Sequence, residues 1–177
     1  MAVIAKKQHS EEARDVRRGQ IRKEALRQFA EQGLPATRIQ DLAAGVGMAQ
    51  GLFYRYYPSK DALFTDLIDD ALDKVIDAAT AVGNMPLPAR DKLLVALREL
   101  LRTIRTNERF RHTCRLIAQA RNSTAIPAAA QTLLAQKGET PYEIIAKVMA
   151  AGQREGSVVD GEPRQLSTLF WAAVNGI

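Results

Sequence analysis

Few side chains in this sequence are suited to covalent chemistry. Two histidines and one cysteine are its whole supply of imidazole and thiol. His112 and Cys114 lie two apart on a predicted helix, so they face different sides and make a poor metal pair. His9 falls in the N-terminal tail. Gly45-Val46-Gly47 followed by Gly51 suggests a phosphate-cradling loop, but a helix rather than a strand precedes it and the spacing is wrong. No nucleophile, base and orienting group come together. The expectation is therefore no enzyme, no metal and no cofactor. What remains is chemistry of recognition. Residues 1–60 hold eleven Lys and Arg against six Asp and Glu, a net of +5, while residues 61–177 are balanced. A local basic excess is the footprint of a nucleic-acid surface, although a solvated face can show the same.

The elements that must position these groups are all helical. At 177 residues and 46% hydrophobic content the chain has enough apolar mass for one or two small domains. No alternating β-branched run or hairpin dipeptide appears. The spacing predicts a first helix over about 11–32, with Ile21, Ala25, Leu26 and Phe29 on one face. Gly33 and Pro35 end it. Thr37 and Gln40 have capping-box spacing for a second helix ending near Gly45, and a third runs over about 49–56. Ser59 caps a fourth, to about Val82. The break Gly83-Asn84-Met85-Pro86 precedes a fifth over 89–106, with Leu93, Leu94, Leu97, Leu101 and Ile104 expected inside. Further helices are predicted over 108–122, from Pro127 to Lys137, from Pro141 to Arg154, and from Pro163 onward. No apolar run approaches a membrane span, and a single cysteine suits a reducing compartment, so a cytoplasmic address is expected.

The stretch Thr37 to Lys60, TRIQDLAAGVGMAQGLFYRYYPSK, reads as a helix-turn-helix. Gly47 can take the left-handed turn between the two helices. Leu42, Ala43, Val46, either Leu52 or Phe53, and Tyr56 supply a small core, and Ala43 with Ala44 lets the helices cross closely. The free side of the second helix is then available to the major groove of DNA.

Over about residues 16–68 the chain resembles the tetracycline-repressor (TetR) family. The resemblance rests on Ala25…Phe29-Ala30…Gly33, Leu42-Ala43, Gly47, Gly51, Phe53-Tyr54 with Tyr56-Tyr57, and Pro58-Ser59-Lys60 before Leu63. It implies that Thr37, Arg38 and Gln40 lie against the backbone or groove edge. It also implies that Gln50, Gly51, Leu52, Tyr54 and Arg55 form the reading surface, with Lys60 on a phosphate. The chemistry agrees: Gln pairs with adenine and Arg with guanine in two-bond geometry. Arg14, Arg17 and Arg18 are candidates for an arm touching phosphate or minor groove, or for a flexible solvated segment. The chain departs from the family at Ala49, where Ser or Thr usually caps the reading helix, and at Leu52 and Phe53, where smaller residues are usual. These departures bear on the operator sequence.

The resemblance further implies a division into a DNA-binding domain, residues 1–58, and a helical regulatory and dimerising domain, residues 59–177. A cavity is expected there, with Phe110, Thr113, Cys114, Ile117, Tyr142, Ile145, Met149, Phe170 and Trp171 as candidate lining that is otherwise plain core. Asp61, Asp66, Asp69, Asp70, Asp73 and Asp77 read as a solvated face with cross-helix pairs. So do Arg98, Arg102, Arg105, Arg109, Arg111 and Arg115, one or two of which could instead serve an acidic ligand. The apolar end Leu169 to Ile177 leads to the expectation that a final dimer helix lies beyond the given chain. Taken together these features predict a homodimeric, small-molecule-responsive repressor of double-stranded DNA. The alternative is a module that holds DNA without reading it, or one that binds proteins.

Overall fold

The computed structural model describes residues 2–175, with side chains described for 11–173. His9 as a side chain and the terminal Gly176-Ile177 lie outside that range. Helix follows helix: α1 (Ala2–Ala36), α2 (Ile39–Gly45), α3 (Gln50–Phe53), α4 (Lys60–Gly83), α5 (Ala89–Thr106), α6 (Glu108–Arg121), α7 (Ala128–Lys137), α8 (Thr140–Arg154) and α9 (Pro163–Asn175). There is no strand among the described residues, as the all-helical reading expects.

Helix α1 starts well before the predicted Glu11, and its regular path breaks at Gly33 as predicted, although helical turns resume to Ala36. Gly33 takes φ 80°, ψ 163°, a conformation that suits glycine and interrupts the helical path before Pro35. The buried stripe Ile21, Ala25, Leu26, Phe29, Ala30 repeats at helical spacing and faces α4 and α6. Ser59 caps α4 as expected, its Oγ accepting from the Ala62 amide at 3.0 Å. Helix α4 is the central element. It buries Leu63, Phe64, Leu67, Ile68, Leu72 and Ala79 and packs on α1, α5, α6, α7 and α8, while α9 packs chiefly on α8.

One hydrophobic cluster runs without a break from Ile21 and Phe29, through Leu42, Phe53 and Tyr57, to Leu67 and Leu72 on α4 and on to Leu116, Ala120 and Ala130. The packing is thus continuous across Pro58. Phe29 and Phe64 meet edge to face with centroids 5.4 Å apart, the favoured geometry for aromatic pairs.

Helix α5 corrects an expectation. Only Ile104 of its five candidate apolar residues is buried. Leu93 and Leu97 are half-buried, and Leu94 and Leu101 are exposed. Periodicity identifies the apolar face of a helix, but neighbours decide how deeply that face is covered.

Candidate nucleic-acid interface

The helix-turn-helix is built on few contacts. Helix α2 buries Leu42 and Ala43, whereas Ala44 is exposed, so the close crossing uses Ala43 alone. The chain turns at Gly47, φ 65°, held by the Gly47 amide on the Ala44 carbonyl at 2.9 Å and the Met48 amide on the Ala43 carbonyl at 2.9 Å. Helix α3 is one turn long, shorter than predicted, and continues to Tyr57 as successive turns. Ala49 occupies its N-cap and offers no side-chain acceptor. Phe53 is the residue that anchors it, fully buried between Tyr54 and Tyr57 at centroid distances of 6.1 and 6.3 Å. Leu52 is 38% exposed, which settles the choice between Leu52 and Phe53 for the internal core.

The predicted reading residues are all accessible to solvent. Gln50, Gly51, Leu52, Tyr54 and Arg55 are all exposed, Tyr54 by 48%. Arg38 and Gln40 on α2 are exposed as well.

Thr37 and Lys60 are placed differently from expectation. Thr37 is fully buried and donates its hydroxyl to the Gly33 carbonyl at 2.8 Å. The N-cap of α2 is Arg38, which makes no side-chain cap bond, so the expected capping box is absent. A threonine hydroxyl can serve a following amide or a preceding carbonyl, and the turn at Gly33 presents the carbonyl. Lys60 sends its ammonium back to the carbonyls of Leu34, Pro35 and Thr37, at 2.9, 3.3 and 3.0 Å. It ties the start of α4 to the α1–α2 corner.

The three arginines of the expected arm are part of α1. Arg14 is exposed. Arg17 donates to the Val46 carbonyl at 3.1 Å, gripping the turn of the helix-turn-helix. Arg18 donates to the Tyr57 hydroxyl at 3.0 Å and stacks over that ring.

Sequence reasoning expected cross-helix pairs from the α4 aspartates but did not name the partners in the network this begins. The Tyr57 hydroxyl donates to Asp66 Oδ2 at 2.6 Å. Arg22 bonds Asp66 at 2.6 Å and Asp70 at 3.1 Å, and Lys74 reaches Asp70 at 2.6 Å. Further round the same face of α4, Lys137 of α7 bridges Asp69 and Asp73, each at 2.6 Å. The aspartates of α4 thus pair with α1 and α7. The only hint in the sequence was the run of acids itself.

These pairs set an acid limit. Burial works against the Asp70 carboxylate, but the Lys74 hydrogen bond and the Arg22 charge outweigh it and hold its pKa below the ordinary 3.8. The Arg27 hydrogen bond, joined by one from Gln28, holds Glu24 below its ordinary 4.5 against a smaller burial effect. A depressed carboxylate contributes stability above its unfolded pKa and loses it as pH falls through the folded value. Melting temperature should therefore decline as pH drops below about 4.5. Asp70→Asn should soften that decline in thermal melts run from pH 7 to pH 3; an unaltered acid limb would remove Asp70 from the account.

Comparison with known proteins matches this surface. The family model for bacterial regulatory proteins of the tetR family covers residues 21–67, from the buried face of α1 through the helix-turn-helix to α4. The transcriptional repressor KstR2 of Mycobacterium tuberculosis is 39% identical over 57 residues, 32% of this chain and 28% of that protein. Residues 21–67 are thus similar to the DNA-binding domain of the TetR family. Across the curated TetR-type relatives the matched segment is 27–35% of their length. Beyond the matched segment the TetR likeness is one of fold. The MbdR regulator of Azoarcus sp. CIB superposes with a TM-score of 0.77 at 24% identity, over 89% of this chain and 82% of that one. AibR, in a complex with isovaleryl coenzyme A and operator DNA, does so with a TM-score of 0.73 at 16% identity, over 90% and 84%.

The helices after the helix-turn-helix form a small cavity of about 50 Å³. Leu72 and Val75 of α4, Leu100 of α5, and Phe110, Cys114, Ile117 and Arg121 of α6 line it from one side. Gly138, Pro141, Tyr142 and Trp171 close the other. Of the expected lining residues, Phe110, Cys114, Ile117, Tyr142 and Trp171 converge there. The other four do not: Ile145 and Met149 are buried core of α8, Thr113 bonds the Arg109 carbonyl at 2.9 Å, and Phe170 packs edge-on against Trp171 at 5.7 Å. Among the described residues no group of three or more His, Cys, Asp or Glu could hold a metal, and no helix is long and apolar enough to cross a membrane.

Proposed function

We propose that the protein is a homodimeric transcription regulator that reads a near-palindromic DNA operator with α3 and releases it in response to a small molecule. One observation carries the reading: five exposed positions, Gln50, Gly51 and Leu52 on α3 and Tyr54 and Arg55 in the turns that continue it, surround the buried Phe53 that locks the segment to the core. That is the arrangement a major groove requires of a recognition element. In this reading Gln50 and Arg55 contact base edges, Leu52 meets a thymine methyl, and Tyr54 donates to a phosphate. Arg38 and Gln40 lie along the groove edge, and Arg14 meets the backbone. Thr37 and Lys60 act mainly from inside, by fixing the corner on which α2 stands.

The coupling follows from α4. This helix touches the cavity through Leu72 and Val75 and touches the DNA-reading unit through Asp66 and Asp70. A molecule that widened the cavity would displace α4 and carry Tyr57 and Arg22 with it, changing the separation of two recognition helices in a dimer. Such a molecule must favour one separation energetically to shift the equilibrium. The complex of AibR with both a coenzyme A ester and operator DNA supports a response of this type in this fold.

Selection of binders from a random DNA pool at about physiological salt tests the proposal, because specific and non-specific binding separate there. Enrichment of a near-palindrome is the expected result, and tight binding with no enriched sequence would replace it with a module that holds DNA without reading it. With the operator in hand, Arg55→Ala should weaken specific binding by about 1–3 kcal/mol and relax one base position. Equal weakening on all sequences would assign Arg55 to the backbone instead.

A further inference from the structure

Trp171, which lines the cavity beside α4, carries a polar group that helix packing does not use. The indole Nε1 of Trp171 is buried and is the only such side-chain nitrogen or oxygen without a hydrogen-bond partner among the described residues. Native proteins rarely leave a buried donor unpaired, because it forfeits its bonds to water. Its ring neighbours are Tyr142 and Phe170, at centroid distances of 5.9 and 5.7 Å, and Leu72, Phe110 and Ile117 add apolar wall.

Charge is poorly served in this space. Arg121 is the one cation lining it, and its guanidinium is already committed. It donates to the Gly138 carbonyl, pairs with Glu139 at 3.7 Å and stacks 5.2 Å from the Tyr142 ring. An anionic ligand would have to take Arg121 from all three. Burial also raises the Cys114 thiol pKa, as expected where charge is disfavoured.

We propose that Trp171 is the polar anchor of a site for a neutral, mainly apolar small molecule that carries one hydrogen-bond acceptor, such as a carbonyl or hydroxyl oxygen. The inference rests on reading this cavity as the effector site. The enclosed space of about 50 Å³ is a third of the roughly 150 Å³ that accepts benzene in a comparable apolar cavity. A ligand therefore needs more room beside the indole than the structure gives it. A ring-sized ligand enters by parting Leu72 and Val75 on α4 from Phe110 and Ile117 on α6.

Trp171 is the only tryptophan, so the protein gives a single indole N–H resonance. The ¹⁵N-labelled full chain should be titrated with cyclohexanone, methylcyclohexane and cyclohexanecarboxylate. Cyclohexanone is expected to move that resonance saturably and to bind about tenfold more tightly than methylcyclohexane, the difference one hydrogen bond makes. Cyclohexanecarboxylate should bind more weakly than the ketone. In Trp171→Phe, calorimetry should find the ketone's advantage over the hydrocarbon gone. Equal binding of ketone and hydrocarbon, tightest binding of the carboxylate, or no saturable shift would each overturn the proposal. The native titration decides even if the variant does not fold. A protein that selects an operator but ignores all three probes overturns this inference alone; one that binds the ketone but enriches no DNA sequence overturns the proposed function instead.

Discussion

Phe29→Ala should lower stability by about 3–5 kcal/mol, the usual cost of removing a buried phenyl ring together with the cavity it leaves. Phe29 is fully buried, and its ring meets Phe64 of α4 edge to face. The site sits where α1, α4 and α6 converge, so few side chains can collapse into the space. For a chain of this size the melting temperature should fall by about 10 °C or more. Val16→Ala on the same helix, at a position 64% exposed, should change stability by no more than about 0.5 kcal/mol. If Phe29→Ala costs less than about 1 kcal/mol, the core does not run continuously from the helix-turn-helix into the regulatory part.

Lys60→Met should weaken binding to every DNA sequence alike and also lower stability by about 2–3 kcal/mol, the range for hydrogen bonds made by a charged group. The ammonium serves three carbonyls at the α1–α2 corner, and methionine keeps the length of the side chain but donates nothing. A residue that only touched phosphate would show a different pattern. It would reduce the salt dependence of binding by about one ion and leave the melting temperature unchanged. Paired melts and salt titrations separate the two roles; loss of DNA affinity at unchanged stability would return Lys60 to the phosphate contact that the family resemblance implies.

Much of the fold was legible because the punctuation is local. Gly33 with Pro35, Gly47 and Ser59 each act within a few residues, and each marks the boundary that its chemistry predicts. Which side chains of α3 are exposed was legible for a similar reason, since a one-turn helix with one aromatic anchor leaves little choice about which side chains face out. Thr37 was misread because its hydroxyl has two local partners of comparable reach, and only the path at Gly33 decides between them. The ladder from Arg22 to Asp66 and Asp70 was not legible at all. Its partners lie 44 or more positions apart, and a charge in a sequence does not name its counterpart. The cavity was half legible: helical spacing identifies inward residues, but whether an inward residue meets a space or another side chain depends on how α6, α8 and α9 tilt against α4.

The division of labour on α3 has a consequence for how such proteins diversify. Phe53 secures the helix, while Gln50, Leu52 and Arg55 are exposed. Their identities are therefore free of the constraint that governs most of the chain, where each change of volume is felt by neighbours. A lineage could exchange Gln50, Leu52 and Arg55 one at a time and remain folded at every step, and under the proposed function each exchange would change the DNA sequence that is read while the rest of the chain stayed as it is.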